Sequence, residues 1–184
     1  MARIGILALQ GDFAAHGRVL AGIGHEPVLV REPRDLRGLA GLVLPGGEST
    51  TMLKLMNRYE LEAPLTQFAR AGGPILATCA GLILIARVVT DPVQRSLVWL
   101  DVAVSRNAWG RQVHSFEAVS DDGAHPLVFI RAPRITEMGA GVDILAKLDG
   151  EPILIRQGNI VGATFHPELT ADASIHREVF AACG

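Results

Sequence analysis

The chain has 184 residues, enough for one compact domain with a real core and little room for two. With 49% apolar and 20% charged residues its composition is globular, which excludes a disordered tail protein and a collagen-like repeat. A formal charge of −2 without any basic run argues against nucleic acid as a partner, and a membrane is equally disfavoured, because the longest greasy stretch, residues 82–89, is interrupted by Arg87 and far short of the roughly 20 apolar residues a bilayer needs.

Met1-Ala2-Arg3-Ile4 leads straight into a strand-like run without signal-peptide anatomy, so a cytoplasmic location is expected. Short runs rich in Val, Ile and Leu at 4–9, 28–30, 42–44 and 75–77, bounded by Gly and Pro, read as buried parallel strands. Helices are expected between them: 13–23 closing on Gly24, 50–59 with Ser49 as N-cap, and 61–71 closing on Gly72. This alternation is that of βαβ units. A helix-like segment at 80–88 follows. Beyond it, Asp149-Gly150 and Gly158-Asn159 each separate two apolar runs as two-residue hairpin turns, so the second half is more antiparallel. A strand at 160–165 and an amphipathic helix at 174–182 complete one α/β domain, 1–184, with a mixed central sheet.

Cys79 follows the strand at 75–77 directly and precedes an apolar helix, the strand, sharp turn, helix setting of a nucleophile elbow. A helix N-terminus carries about half a positive charge and unpaired N–H groups, so it favours the thiolate. The backbone N–H of Ala80 can face a developing oxyanion, and small residues at 80 and 81 suit a crowded turn. By itself, Cys79 reads more readily as a small buried hydrophobe, and a catalytic role needs a base. The second cysteine, Cys183, leaves two thiols in all, too few for a disulfide framework and without metal spacing.

The strand at 160–165 ends in His166-Pro167-Glu168, where residues i and i+2 of an extended chain share a side. Glu168 can then orient the His166 imidazole, and Pro167 biases His166 toward extended backbone. Together with Cys79 these residues form a Cys, His, Glu triad, although His166 alone reads as well as a surface histidine before a turn. His16, His25, His125 and His176 fall in helical or turn segments and are read as surface residues, while the residues leave His114 undecided. No histidine or cysteine spacing suggests a metal.

Pro45-Gly46-Gly47-Glu48-Ser49-Thr50-Thr51 lies between a strand and a helix, at the carboxyl edge of the sheet where open α/β folds bind ligands. It lacks the Gly-Lys-Ser/Thr of a P-loop. Its paired glycines let the backbone approach a substrate closely, which suits an oxyanion donor at Gly47.

Taken together, these segments resemble the glutaminase subunits of pyridoxal 5′-phosphate synthase, a family of class I (triad) glutamine amidotransferases. The matching runs are Leu9-Gln10-Gly11-Asp12, Leu44 with the Pro45 to Thr51 loop, Thr78-Cys79-Ala80-Gly81-Leu82, Arg106-Asn107 with Gly110-Arg111-Gln112, Phe129-Ile130-Arg131-Ala132-Pro133, and Phe165-His166-Pro167-Glu168-Leu169. They follow in family order over essentially the whole chain.

The resemblance implies a single flavodoxin-like class I amidotransferase domain, α/β, with a mostly parallel central sheet flanked by helices. It implies Cys79 as nucleophile, His166 as general base and acid, and Glu168 as the residue orienting the imidazole. Glutamine would be bound by Gly47, Glu48, Ser49, Arg106, Ile130 and Arg131, with the Arg106 guanidinium suited to the α-carboxylate. Ammonia would pass to a (β/α)8-barrel synthase subunit within a large hetero-oligomer, with the run containing Gln10 at that contact. No bound cofactor is expected, pyridoxal phosphate being a product of the complex. The isolated chain is expected to be a poor glutaminase, because the peptide between Gly46 and Gly47 must reorient on docking to complete the oxyanion hole. One missing donor costs about 100- to 1000-fold in turnover. Departures from the pattern are Ala77 where Gly is usual, Trp109 for Phe, His114 for an acidic residue, and a short, divergent 90–98. The competing readings are another cysteine hydrolase, a peptidase or deglycase, and a non-catalytic binding module.

Overall fold

The structure is a computed structural model that describes residues 1–106 and 115–183. The first half alternates as expected: β1 (Arg3–Leu7), α1 (Phe13–Gly22), β2 (Glu26–Val30), β3 (Gly41–Leu44), α2 (Ser49–Arg58), α3 (Glu62–Arg70), β4 (Ile75–Thr78) and α4 (Ala80–Ile85). It continues with β5 (Ala86–Thr90), β6 (Leu100–Ser105), β7 (Ser115–Val119), β8 (Pro126–Ile130), β9 (Arg134–Met138), β10 (Asp143–Leu148), β11 (Glu151–Gln157), β12 (Ile160–Ala163) and α5 (Ser174–Phe180).

Seven strands form the main sheet in the order β2-β1-β3-β4-β12-β11-β10. The five strands from β2 to β12 are parallel to their neighbours, and β12-β11-β10 are antiparallel. Both antiparallel connections are the two-residue turns expected, with Asp149, Gly150 and Gly158 at φ 51°, 78° and 57°. Strands β5-β6-β9 make a smaller sheet and β7-β8 a ribbon.

Alternation along the central strands divides the apolar core between the two sheet faces. Leu42, Leu44, Ile75 and Ala77 pack with Met52, Met56 and Leu65 of α2 and α3. On the other face, Val43 and Leu76 pack with Leu20 of α1, Ile175 and Phe180 of α5, and Phe129 of β8. Burial on both faces explains why these strands read as continuous apolar runs.

Several boundaries differ from the sequence expectation, the last strand ending at Ala163 and the last helix at Phe180 among them. The first strand ends at Leu7, two residues before the run does, and the helix expected over 80–88 ends at Ile85 and turns directly into β5. Residues 80–86 are buried all round and so carry no periodicity to separate helix from strand, and the Val88 and Val89 that follow are β-branched. Asn107, Trp109, Gly110, Arg111, Gln112 and His114 lie outside the described residues.

Candidate active site

Parallel β4 and β12 are neighbours, with Thr78 opposite Ala163, so the segments leaving their carboxyl ends emerge side by side. Cys79 leaves β4 and His166 follows β12, which is how residues far apart in sequence meet. The Cys79 N–H donates to the Ala163 carbonyl at 2.9 Å, and the Ile83 N–H donates to the Cys79 carbonyl at 3.2 Å. Between these anchors Cys79 is held at φ 47°, ψ −103°, a conformation that costs a non-glycine residue about 1–3 kcal/mol. The tightness of the elbow shows at Gly81, where a Cβ would lie 2.0 Å from the Leu44 carbonyl oxygen. The expected Gly81 is therefore a packing necessity.

His166, at φ −110°, ψ 83°, precedes a 3-10 turn over Pro167–Leu169. That turn, rather than a continued strand, brings Glu168 Oε1 to 2.7 Å from His166 Nδ1. Cys79, His166 and Glu168 are all buried, at 4–5% exposure. Burial opposes protonation of His166, but hydrogen bonds to Cys79 and Glu168, with the charges of both, outweigh it and raise the imidazole to about 10. Near neutral pH the arrangement is an imidazolium between a sulfur and a carboxylate. With α4 only six residues long, the positive charge facing the sulfur comes chiefly from this imidazolium rather than from a helix end.

The sulfur opens on a cleft of about 510 Å³ lined by Gln10, Gly11, Asp12, Gly47, Glu48, Ser49, Arg106, Ile130 and Arg131. Every expected glutamine-binding residue lies on this wall, and Ala80 begins the helix beside it with an N–H that has no intrahelical partner. The Cys79 thiol reaches the Ile130 carbonyl at 3.9 Å, and Arg131 takes φ 44°.

The glycine loop is tied to the chain after β1. The Asp12 N–H donates to the Gly46 carbonyl at 3.2 Å, and the Glu48 N–H donates to Gln10 Oε1 at 2.5 Å. Gln10, expected at a partner contact, therefore also braces the cleft. A Cβ on Gly46 would lie 2.2 Å from His166 Cε1, so this glycine admits the imidazole.

The comparisons with known proteins agree with the geometry. The family model described as "SNO glutamine amidotransferase family" matches residues 6–182. The chain belongs to the SNO glutamine amidotransferase family.

Among its relatives are the proteins named "Pyridoxal 5′-phosphate synthase subunit PdxT" of Koribacter versatilis, 49% identical over 95% of this chain and 92% of the relative, and of Solibacter usitatus, 48% identical over 96% of each. A crystal structure titled as a glutamine amidotransferase superposes with a TM-score of 0.92 at 42% identity, covering 98% of both chains. A putative GMP synthase subunit of Thermoplasma acidophilum shares the fold at a TM-score of 0.72 and 18% identity. Among the described residues of the amidotransferase, no helix is long and apolar enough to cross a membrane.

Several details of the amidotransferase correct the sequence reading. The N-cap of α2 is Glu48, not Ser49: its carboxylate accepts from the Thr50 and Thr51 N–H groups at 3.2 and 2.8 Å. Burial works against the Glu48 carboxylate, but these bonds and the Thr51 hydroxyl prevail and lower its pKa. Arg106 Nη2 reaches the same carboxylate at 3.3 Å and stands half-withdrawn over the cleft. The Ser49 and Thr50 hydroxyls both donate to Gln94 Oε1 at 3.0 Å, so a residue of the divergent 90–98 segment shapes the loop.

The largest correction concerns the histidines expected at the surface. His25 and His125 are half-buried, and His16 and His176 have no exposure at all. His16 sits behind the triad, with Nε2 3.3 Å from Glu168 Oε2 and 3.2 Å from Thr78 Oγ1, and Nδ1 2.9 Å from His176 Nε2. Burial, followed by the nearby His176 and His166, holds His16 well below the ordinary histidine value. Burial likewise lowers His176 to about 4 against the opposing charge of Asp172. Both are neutral near pH 7. A signal was present in the sequence: His16 stands four residues before the buried Leu20, and His176 four before the buried Phe180, so each occupies the apolar stripe of its helix.

Asp12, His166 and Glu168 also bring one possible ligand atom each within 4.8 Å of one another. The His166 and Glu168 atoms at 2.7 Å already share a proton, so this arrangement favours acid and base chemistry over ion binding.

Proposed function

We propose that the protein hydrolyses L-glutamine to glutamate and ammonia through a Cys79 thioester and delivers the ammonia to a synthase subunit that makes pyridoxal 5′-phosphate. The observation that carries this reading is the buried His166 imidazole between the Cys79 sulfur and the Glu168 carboxylate, at the floor of a cleft of about 510 Å³ that has room for an amino acid and polar groups to anchor it.

In this mechanism the Cys79 thiolate attacks the side-chain amide carbon of glutamine, and the carbonyl π electrons move to oxygen. The N–H groups of Ala80 and Gly47 receive that oxyanion. As the C–N bond breaks, His166 gives its proton to the leaving nitrogen, releasing ammonia and leaving a glutamyl thioester. Neutral His166 then takes a proton from water, whose oxygen attacks the thioester. Glutamate leaves, and the thiolate and imidazolium are restored. Glu168 holds the imidazole throughout, Arg106 receives the α-carboxylate, and the remaining anchors are Gly47, Glu48, Ser49, Ile130 and Arg131.

The Gly46 carbonyl is held by the Asp12 N–H in this structure. Turning the peptide between Gly46 and Gly47 toward an oxyanion therefore requires breaking that bond, which suits activation by a partner docking at the Gln10 to Asp12 segment. A barrel-shaped synthase in a large hetero-oligomer is that partner in this reading, with no bound cofactor in this subunit and a cytoplasmic setting.

The test is mass spectrometry after treatment with a glutamine-mimicking diazo-ketone in the presence of the synthase. One adduct on Cys79, lost in Cys79→Ala, is expected. Labelling confined to Cys183 would overturn the assignment.

A further inference from the structure

Glu168 has two carboxylate oxygens and only one is well satisfied. Oε1 accepts from His166, whereas Oε2 is buried without a well-directed hydrogen bond among the described residues. His16 Nε2 lies 3.3 Å from it, and the same nitrogen is hydrogen-bonded at 3.2 Å to the hydroxyl of Thr78, the residue before Cys79. One imidazole thus touches both arms of the site, the strand that carries the nucleophile and the carboxylate that orients the base.

A neutral imidazole has one N–H, so this contact works only in one tautomer. If Nδ1 carried the proton and donated to His176, the Nε2 lone pair would face a buried carboxylate oxygen, leaving a negative charge opposed by a lone pair in a low-dielectric interior. With the proton on Nε2, the N–H serves the Thr78 hydroxyl at 3.2 Å and its positive end lies 3.3 Å from the carboxylate oxygen, while Nδ1 accepts from the Nε2–H of His176 at 2.9 Å. His176 Nδ1 is then a bare buried acceptor without a partner among the described residues. That is a lesser cost than a buried, unpaired N–H.

We propose that His16 is a positioning residue for the glutaminase reaction: as the Nε2–H tautomer, fixed by His176, it sets its N–H dipole between the Thr78 hydroxyl and the second oxygen of Glu168 and so steadies the carboxylate that orients the His166 imidazole. Acting through Glu168, it touches neither substrate nor reacting atoms. The ionisable groups facing His16 are Glu168 and His166 from the chain after β12, and His176 from α5. The proposal rests on the roles given above to Cys79, His166 and Glu168.

The test compares two variants of the full chain assembled with its synthase. His16→Leu removes the donor at similar volume, while in His16→Gln the amide nitrogen stands where Nε2 was. His16→Leu should lower kcat about 10-fold or more with KM for glutamine unchanged, the scale seen when metal-bound histidines lose the outer partner that orients them. It should also broaden the low-field proton resonance of the His166–Glu168 bond, and His16→Gln should restore both. A folded His16→Leu with wild-type kcat and resonance overturns the proposal, and so does His16→Gln as impaired as His16→Leu. Nitrogen NMR of the wild type decides even if the leucine variant does not fold. It should show His16 neutral with the proton on Nε2, and a proton on Nδ1 would refute the assignment. Failure of the underlying mechanism is told apart by diazo-ketone labelling of wild-type Cys79, which does not depend on His16.

Discussion

Gly46→Ala isolates how finely the imidazole is placed. A Cβ at this position would lie 2.2 Å from His166 Cε1 and 2.9 Å from Nδ1, and carbon contacts become ordinary only near 3.4 Å, so about 1.2 Å of movement is required. The ring is not free to supply it, being bonded to Glu168 at 2.7 Å, and the loop is restrained by the 3.2 Å bond between the Asp12 N–H and the Gly46 carbonyl. A displacement of about 1 Å from reacting geometry costs on the order of 100-fold in rate, while one extra methyl in a tight site costs about 1–3 kcal/mol of stability. Ammonia release should therefore fall on the order of 100-fold in a variant that still unfolds cooperatively in urea. Gly22→Ala is the control: an added Cβ there meets nothing within 4 Å, and at a helix position it should raise stability by up to about 1 kcal/mol with unchanged activity. A folded Gly46→Ala with turnover within threefold of wild type would show that the loop does not constrain the imidazole.

Gly81→Ala should behave differently, because its Cβ would meet the Leu44 carbonyl at 2.0 Å, backbone that cannot swing away. The expected result is a melting temperature lower by roughly 5 °C or more, and an unchanged melt would remove the packing argument for this elbow. Acid should destabilise the protein through its neutral histidines. His176 binds its proton at about 4 when folded and near 6.5 when unfolded, so the unfolded chain binds more protons across that window. Stability is thus fully present above pH 6.5 and falls by about 3 kcal/mol as the pH drops to 4. Urea titrations of the wild type and of His176→Gln, which carries no titrating group there, test this; equal slopes between pH 6.5 and 4 would refute it.

Much of the fold was legible because local chemistry and tertiary demand agree. Asp149-Gly150 and Gly158-Asn159 supply the positive φ that two-residue hairpins require, and Cys79 stands at the turn its flanking strand and helix imply. What was missed depended on partners distant in sequence. Serine is the commoner N-cap, yet Glu48 takes the position because its longer carboxylate spans two N–H groups and also meets Arg106. His16 and His176 read as surface residues since nothing nearby in sequence satisfies a buried imidazole; each satisfies the other only once α1 and α5 pack on the same face of the sheet. The 3-10 turn after His166 was also hidden, though Pro167 and the i, i+2 spacing led to the right contact by a different backbone path.

The neighbouring placement of β4 and β12 also bears on how the enzyme comes into being. A chain emerging from the ribosome carries its thiol well before the strand that delivers the imidazole has been made, and that late strand must enter between β4 and β11. Chains cut short of β12 therefore hold the Cys79 sulfur without its imidazole, so the two groups can meet only after the segment beyond β12 has been made.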